Sequence, residues 1–248
     1  QFIRFACHLK ALGAEPVVQV SPSLLPLLEQ LWMSTPLTAT VQRGEFPVVC
    51  PMLSVIQRFH IRPEQFFAGA YLHVPENLQK QARARLHPTP TLRVGLAWRG
   101  RGQHPEQLKR FFSLASAAPL LRVTTVSFMA LQKGPGAEEI ETCGFAIDRL
   151  EPLDDSVPFL ETAALISQLD LLITFDGVLA HLAGALGAPA WVALPFAADW
   201  RWGVGDSQTV WYPSLRLFRQ SETNQWGSVF ESMAEQRNRL RVSRLSQA

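Results

Sequence analysis

Cysteine is scarce in this chain of 248 residues. Cys7, Cys50 and Cys143 are odd in number and far apart, so they supply neither a disulfide framework nor a metal-ligand spacing, and a reducing, cytoplasmic setting is expected. Long apolar runs are also missing. Stretches such as Leu171 to Phe175 fall far short of the roughly 18 residues that a membrane span needs. Charge of one sign is not in excess either: 23 basic against 21 acidic residues leaves a net of +2, which argues against a nucleic-acid partner. No Gly-x-x-x-x-Gly-Lys-Ser/Thr loop, Gly-x-Ser-x-Gly elbow or His-Glu-x-x-His helix occurs, which removes most support for P-loop, α/β-hydrolase and zinc-protease chemistry. The six histidines are scattered, and no bound metal is expected.

What is present describes a packed interior. Apolar residues make up 47% and charged residues 18% of the chain, and its length lies between one large α/β domain and two small ones. The chain opens without methionine inside a helical pattern, Gln1-Phe2-Ile3-Arg4-Phe5, which predicts a piece of a longer protein without a secretory leader. Gly13 is placed to stop this first helix. Pro16 to Val20 predicts a strand, Ser21-Pro22 a helix start and Leu24 to Leu31 the helix itself. Thr38 to Gln42 and the buried-looking run Phe46 to Pro51 predict two more strands. The proline-bracketed polar helix Glu76 to Arg85 marks a boundary near residue 88.

A second unit, 89–248, then begins with the strand-like Thr91 to Trp98. Further strands are expected at Val123 to Phe128, Phe145 to Asp148, Leu171 to Phe175 and Ala190 to Leu194. Helices are expected at Leu108 to Ala117, Pro158 to Gln168, Val178 to Leu186 and about 226–240, the last with a basic end from Arg237 to Arg244. Such alternation predicts a mostly parallel sheet covered on both faces, with ligand at the carboxyl ends of the strands.

Three groups of residues there could carry chemistry. Asp176-Gly177 joins a buried strand to a small-residue helix, whose amides and dipole suit a diphosphate, and His181 lies one turn further on. The bland alternative is a helix cap, a packed histidine and close helix-to-sheet packing. Four of the seven tryptophans fall between Trp191 and Trp211, beside Asp199, Arg201 and Arg216; exposed rings among charges would suit a sugar or base, while buried rings would only fix the C-terminal segment. The polar loops Trp98-Arg99-Gly100 and Gln132-Lys133-Gly134 offer cations for phosphate and an amide for base or sugar, with Lys109 and Arg110 as weaker candidates of the same kind. Each of these cations could equally be a solvated surface charge.

Taken in order, Gln-Phe-Ile-Arg-Phe, Gly-Leu-Ala-Trp, Leu-Gln-Lys-Gly, Thr-Ala-Ala-Leu-Ile, Ala-His-Leu-Ala-Gly-Ala-Leu-Gly, Asp-Trp-Arg-Trp, Trp-Tyr-Pro and Arg-Leu-Phe-Arg-Gln resemble the glycosyltransferase-like region of bacterial tetratricopeptide-repeat proteins. That region is similar to heptosyltransferases and, more distantly, to O-linked N-acetylglucosamine transferase. The resemblance spans nearly the whole chain and is densest from Leu92 to Gln220. It implies a GT-B-like α/β fold: two Rossmann-like domains with mostly parallel sheets facing across a cleft, with residues 1–88 an incomplete acceptor-side domain and 89–248 the nucleotide-sugar domain. The implied substrates are a nucleotide-diphosphate sugar and a protein, lipid or glycan acceptor, without metal or other cofactor. The implied partner is an upstream tetratricopeptide-repeat region of the same polypeptide. Carried over by position, Trp98, Gln132, Asp176, Gly177, His181, Asp199, Trp200 and Trp202 match donor-site motifs; Arg99 and Lys133 join the candidate site as the phosphate-neutralising cations of the first two loops. Gly177 stands where the family has threonine or serine, and Lys109-Arg110-Phe111-Phe112-Ser113 where it has Arg-Ser. The family's Gly-Asp loop precedes the Gln-Phe-Ile-Arg-Phe helix and here lies before residue 1 or is absent, so no catalytic base is assigned; His8 is a minor candidate substitute. The alternative is a non-catalytic binding or scaffold module of the same fold.

Overall fold

A computed structural model of the chain describes residues 1–42, 44–66, 69–123, 125–150 and 157–245, with side chains up to 236. A single 3₁₀ turn at Phe2–Arg4 leads into α1 (Phe5–Ala11), and Gly13 closes the segment at φ +87°, a left-handed conformation that glycine adopts without strain. Then follow β1 (Val18–Gln19), α2 (Leu25–Leu31), β2 (Leu37–Thr38), α3 (Met52–Arg58) and α4 (Glu76–Ala84). β1 and β2 pair in parallel, Val18 opposite Leu37. The remainder runs β3 (Leu92–Ala97), α5 (Pro105–Leu108), α6 (Ala118–Leu121), β4 (Val126–Ala130), α7 (Glu139–Thr142), β5 (Ile147–Arg149), α8 (Leu160–Ile166), β6 (Leu171–Phe175), α9 (Val178–Leu186), β7 (Ala190–Leu194), β8 (Leu215–Arg219) and α10 (Trp226–Leu245).

β3 to β8 form one six-stranded, all-parallel sheet in the order β5-β4-β3-β6-β7-β8. The expected α/β class with a parallel sheet is what the chain forms. The central strands are apolar on both faces because helices cover both: β7, Ala-Trp-Val-Ala-Leu, is buried at every position. One face packs on α8 and α9 and on apolar residues of the first 88, among them Phe5, Leu31 and Tyr71. The other face packs on Phe112, Leu120 and, from α10, Phe230 and Met233. Each fully buried aliphatic or aromatic side chain contributes roughly 1.5–3 kcal/mol.

The first 88 residues are tied down by backbone as well as by burial. The amides of Tyr71 and Leu72 both donate to the Ala185 carbonyl at the end of α9, at 2.9 and 3.0 Å. Arg4 is buried; its Nη1 donates to the Trp211 carbonyl at 2.6 Å, and its guanidinium lies 4.7 Å from the ring centroids of both Tyr71 and Tyr212. A desolvated cation between two π faces is a strong form of this contact.

Several expected elements differ. Phe46 to Pro51 is an exposed loop, with Val48 80% and Val49 74% exposed: prolines at 47 and 51 remove ladder donors, and no strand of the described residues pairs with it. The expected helix Leu108 to Ala117 is not one. α5 ends at Leu108, and the chain straightens so that the Phe112 amide can donate to the Trp98 carbonyl and its ring can enter the core. Ser21 accepts from the Leu24 and Leu25 amides in a turn, and α2 starts later, with Pro26 in its first turn. The strand expected at Thr38 to Gln42 is β2, ending at Thr38; that expected at Val123 to Phe128 lies two to three residues further on. β8 was not expected as a strand. α10 continues past 240, and the side chains of its basic end lie outside the described residues.

Candidate functional site

Strand order reverses between β3 and β6, and at such a switch point adjacent loops leave the sheet in opposite directions, opening a crevice at the carboxyl ends. The loops after β3, β4, β6, β7 and β8 bring Trp98 and Arg99, Gln132 and Lys133, Asp176 and Gly177, Asp199 to Trp202, and Gln220 to this edge.

The loops after β3 and β4 are bound to each other. Gln132 Oε1 accepts from the Trp98 and Arg99 amides, both at 3.0 Å, while its Nε2 donates to the carbonyls of Arg99, Lys133 and Pro135 at 2.8, 3.3 and 2.8 Å. Trp98 is fully buried and donates from Nε1 to the Gly136 carbonyl at 3.2 Å. Gly136 sits at φ +91°, and a Cβ there would stand 3.0 Å from the indole nitrogen. The polar atoms of Gln132 and Trp98 are therefore spent inside the protein. Arg99 is exposed and Lys133 half-buried on the same loops.

Asp176 anchors the next loop. Its carboxylate is buried; Oδ1 accepts from Trp202 Nε1 at 2.7 Å and Oδ2 lies 3.4 Å from Arg110 Nη1. Burial pushes the Asp176 carboxyl above its usual range, against the opposing pull of the Trp202 hydrogen bond and Arg110. Arg110 also reaches Asp199 at 4.0 Å, and Asp199 accepts from the Arg201 amide at 3.0 Å and guanidinium at 2.9 Å. Partial burial would raise the Asp199 carboxyl, but the Arg201 bonds and the two cations outweigh it and hold it low. The result is a line of alternating charge, Arg201, Asp199, Arg110, Asp176. Only long-range pairing reveals Arg110 as its central member, because in sequence it looks like any surface cation.

Gly177 is the cap residue of α9 at φ −153°, an extended backbone open to any residue. Glycine is required for space: a Cβ would lie 2.6 Å from the Phe175 ring, so a threonine or serine would collide. No side chain caps α9, Val178 is half exposed, and no hydrogen bond to the Val178 or Leu179 amide is made among the described residues. The helix start is thus an unfilled set of donors.

His181 is drawn elsewhere. Its ring stacks on Trp202 with centroids 5.2 Å apart and planes 13° apart, and Nδ1 lies 3.1 Å from the Tyr212 hydroxyl. Burial, with the amino group of Gln1, Arg201 and Arg4 nearby, lowers its pKa to about 4, so it is neutral at pH 7. The tryptophans also divide against expectation: Trp191, Trp202 and Trp211 are buried, and only Trp200, 61% exposed, offers an open ring. Its face carries the Arg201 guanidinium at 4.7 Å. Lys109 pairs with Glu106 at 2.6 Å. Arg216 lies in β8 and lines a cleft at the opposite, amino edge of the sheet, and His8 lies on α1. A cavity of about 110 Å³, lined by Lys109, Arg110, Phe196 and Gln220, opens at the carboxyl edge. Among the described residues, no group of three His, Cys, Asp or Glu is arranged to hold a metal, and no helix is long and apolar enough to cross a membrane.

No protein-family model matches the chain. Protein FlbA of Caulobacter vibrioides is 33% identical over 146 residues, 57% of this chain and 24% of that protein, so the chain spans about a quarter of the relative's length. Among solved structures, glycosyl transferase family 9 from Veillonella parvula is 12% identical with a TM-score of 0.47, covering 82% of this chain and 56% of that one. The E. coli heptosyltransferase WaaC, solved with ADP-2-deoxy-2-fluoro heptose, is 14% identical with a TM-score of 0.48, covering 82% and 58%. The C-terminal domain of the group 1 glycosyl transferase LpcC of Francisella tularensis is 13% identical with a TM-score of 0.37, covering 71% and 88%.

Proposed function

We propose that the chain is the donor-binding part of a GT-B glycosyltransferase and moves a sugar from a nucleotide diphosphate to a protein, lipid or glycan acceptor. The observation that carries this reading is the uncapped start of α9 at the β3/β6 switch point, with Arg99, Arg110 and Lys133 on neighbouring loops of the same edge. Backbone amides and cations there suit a diphosphate and stabilise it as a leaving group without a metal. An acceptor hydroxyl, deprotonated by a base, attacks the anomeric carbon while the bond to the diphosphate breaks and its negative charge gathers at the Val178 and Leu179 amides. The exposed Trp200 offers a stacking face for sugar or base. In this reading residues 1–88 belong to the acceptor side, an upstream tetratricopeptide-repeat region recruits the acceptor, and the reaction is cytoplasmic. Neutral His181 holds Tyr212 and Trp202 in place beside Asp176 and serves as a positioning residue.

A second reading, a binding module without turnover, is favoured by specific features: Phe175 excludes a hydroxyl at position 177, Gln132 is fully committed, and the 110 Å³ cavity at this edge is smaller than a nucleotide-sized pocket of roughly 300 Å³ or more. Titration calorimetry with a panel of nucleotide sugars and nucleoside diphosphates, followed by a hydrolysis assay on any binder, separates the cases. Binding with release of free sugar supports transfer chemistry, binding without turnover supports the second reading, and no binding at all rejects both.

A further inference from the structure

A cleft larger than the cavity at the carboxyl edge lies at the other end of the sheet. Where β6, β7 and β8 begin, a cleft of about 240 Å³ opens beneath the segment that returns along β8. The Leu217 amide donates to the Ser207 carbonyl at 2.8 Å, which pins that segment against the edge strand and holds Ser207 and Gln208 over the strand starts. Trp191 and Pro213 supply apolar wall; Ser207, Gln208, Ser214 and Arg216 supply polar groups, and no aspartate or glutamate lines the cleft among the described residues.

Two of those polar groups are unfinished. Arg216 Nε and Ser214 Oγ are both buried and make no hydrogen bond. A hydroxyl can donate or accept, whereas a guanidinium N–H can only donate and is permanently charged, so the partner that completes this site is an acceptor and an anion suits it best. The Arg216 side chain is not free to seek such a partner elsewhere: it lies 5.7 Å from the Phe218 ring on the same strand, and its backbone is in register with Trp191.

We propose that this cleft is a binding site for a small oxyanion, a phosphate or a carboxylate, with Arg216 as its charge partner, Ser214 as hydroxyl donor, and Ser207 and Gln208 closing over it. The cleft has room for a phosphate or a short carboxylate beside Arg216. The site is separate from the carboxyl edge and does not depend on the function proposed there.

The arginine Nε–H resonances of the 248-residue chain provide the test. Inorganic phosphate and acetate are titrated separately at constant ionic strength, with potassium chloride as the reference salt. One Nε–H signal is expected to shift saturably with at least one of the two anions, to be absent in Arg216→Lys, and to saturate about fivefold later in Ser214→Ala, the worth of one hydrogen bond to a charged partner. The anion that saturates first identifies the phosphate or carboxylate source. Should Arg216→Lys fail to fold, Ser214→Ala and Gln208→Ala carry the decision through their midpoints. The proposal is overturned if neither anion gives a saturable shift, if the shifting signal survives in Arg216→Lys, or if both milder variants titrate like the parent.

Discussion

The loops after β4 and β6 leave the same edge of the same sheet, and both read in sequence as places for a ligand, yet they use their polar groups in opposite ways. Gln132 makes five hydrogen bonds within 3.3 Å to neighbouring backbone and joins two loops into one body. After β6, the acid turns inward to Trp202 and Arg110, and the Val178 and Leu179 amides that open the following helix are left without acceptors among the described residues. A polar, glycine-bearing loop is therefore not evidence of binding by itself. The account of where its donors and acceptors go decides between a staple and a site.

This contrast has measurable consequences. The largest is expected at the staple: Gln132→Ala leaves two amides and three carbonyls short of a partner, costs about 3–4 kcal/mol and lowers Tm by roughly 10 °C. A Tm within a degree or two of the parent in differential scanning calorimetry would erase the distinction between the two loops. Next is pH. The unfolded chain takes up a proton at histidine near 6.5 while folded His181 resists until about pH 4, so the unfolded state binds more protons in that window and stability falls as pH drops from 6.5 to 4. The loss is on the order of 3 kcal/mol, and urea denaturation across the window should show it in the parent and not in His181→Gln. Asp176 acts with the opposite sign: its raised carboxyl pKa makes the folded state the tighter proton binder, so its own contribution grows as pH falls.

A smaller effect is expected from Trp202→Phe. It keeps a ring against His181 but removes the donor to the buried Asp176 Oδ1, at a cost of about 2 kcal/mol, and drives the Asp176 carboxyl further up. A carboxyl titration by carbon NMR that does not move in this variant would mean that the bond contributes nothing to Asp176. Least change in stability is expected from Arg99→Ala, within about 0.5 kcal/mol, since its side chain is exposed. Its affinity for a nucleoside diphosphate should nevertheless fall roughly tenfold, the worth of one charge-assisted contact. Equal affinity in parent and variant would take Arg99 out of the site.

The sequence was clearest where local signals are strongest. The bounds of β6, α9 and β7 follow from an apolar strand, a small-residue helix and the Gly187-Ala188-Pro189 stop, and Gly187 does close α9 at φ +70°. β8 was hidden because it is an edge strand whose Arg216 and Arg219 interrupt an already short apolar run. The spacing of Phe111, Phe112, Leu114 and Ala117 fits a helical face over 108–117, but their burial is achieved by a chain that straightens at 111–113 and turns through 114–117 into α6. Site residues were harder for a related reason. Their place on the carboxyl edge is legible from the alternation of strands and helices, but burial of Trp202 and Trp211, the commitment of Gln132 and the bridging role of Arg110 all depend on partners far away in the chain.

Backbone amide shifts measured during titration with ADP, UDP and GDP address the diphosphate-holding role of α9 most directly. At least one of these ligands is expected to produce saturable shifts whose largest members are Gly177, Val178 and Leu179, with smaller ones at Arg99 and Lys133. Saturable shifts centred elsewhere, or none at all from a folded chain, would mean that the start of α9 does not hold the diphosphate.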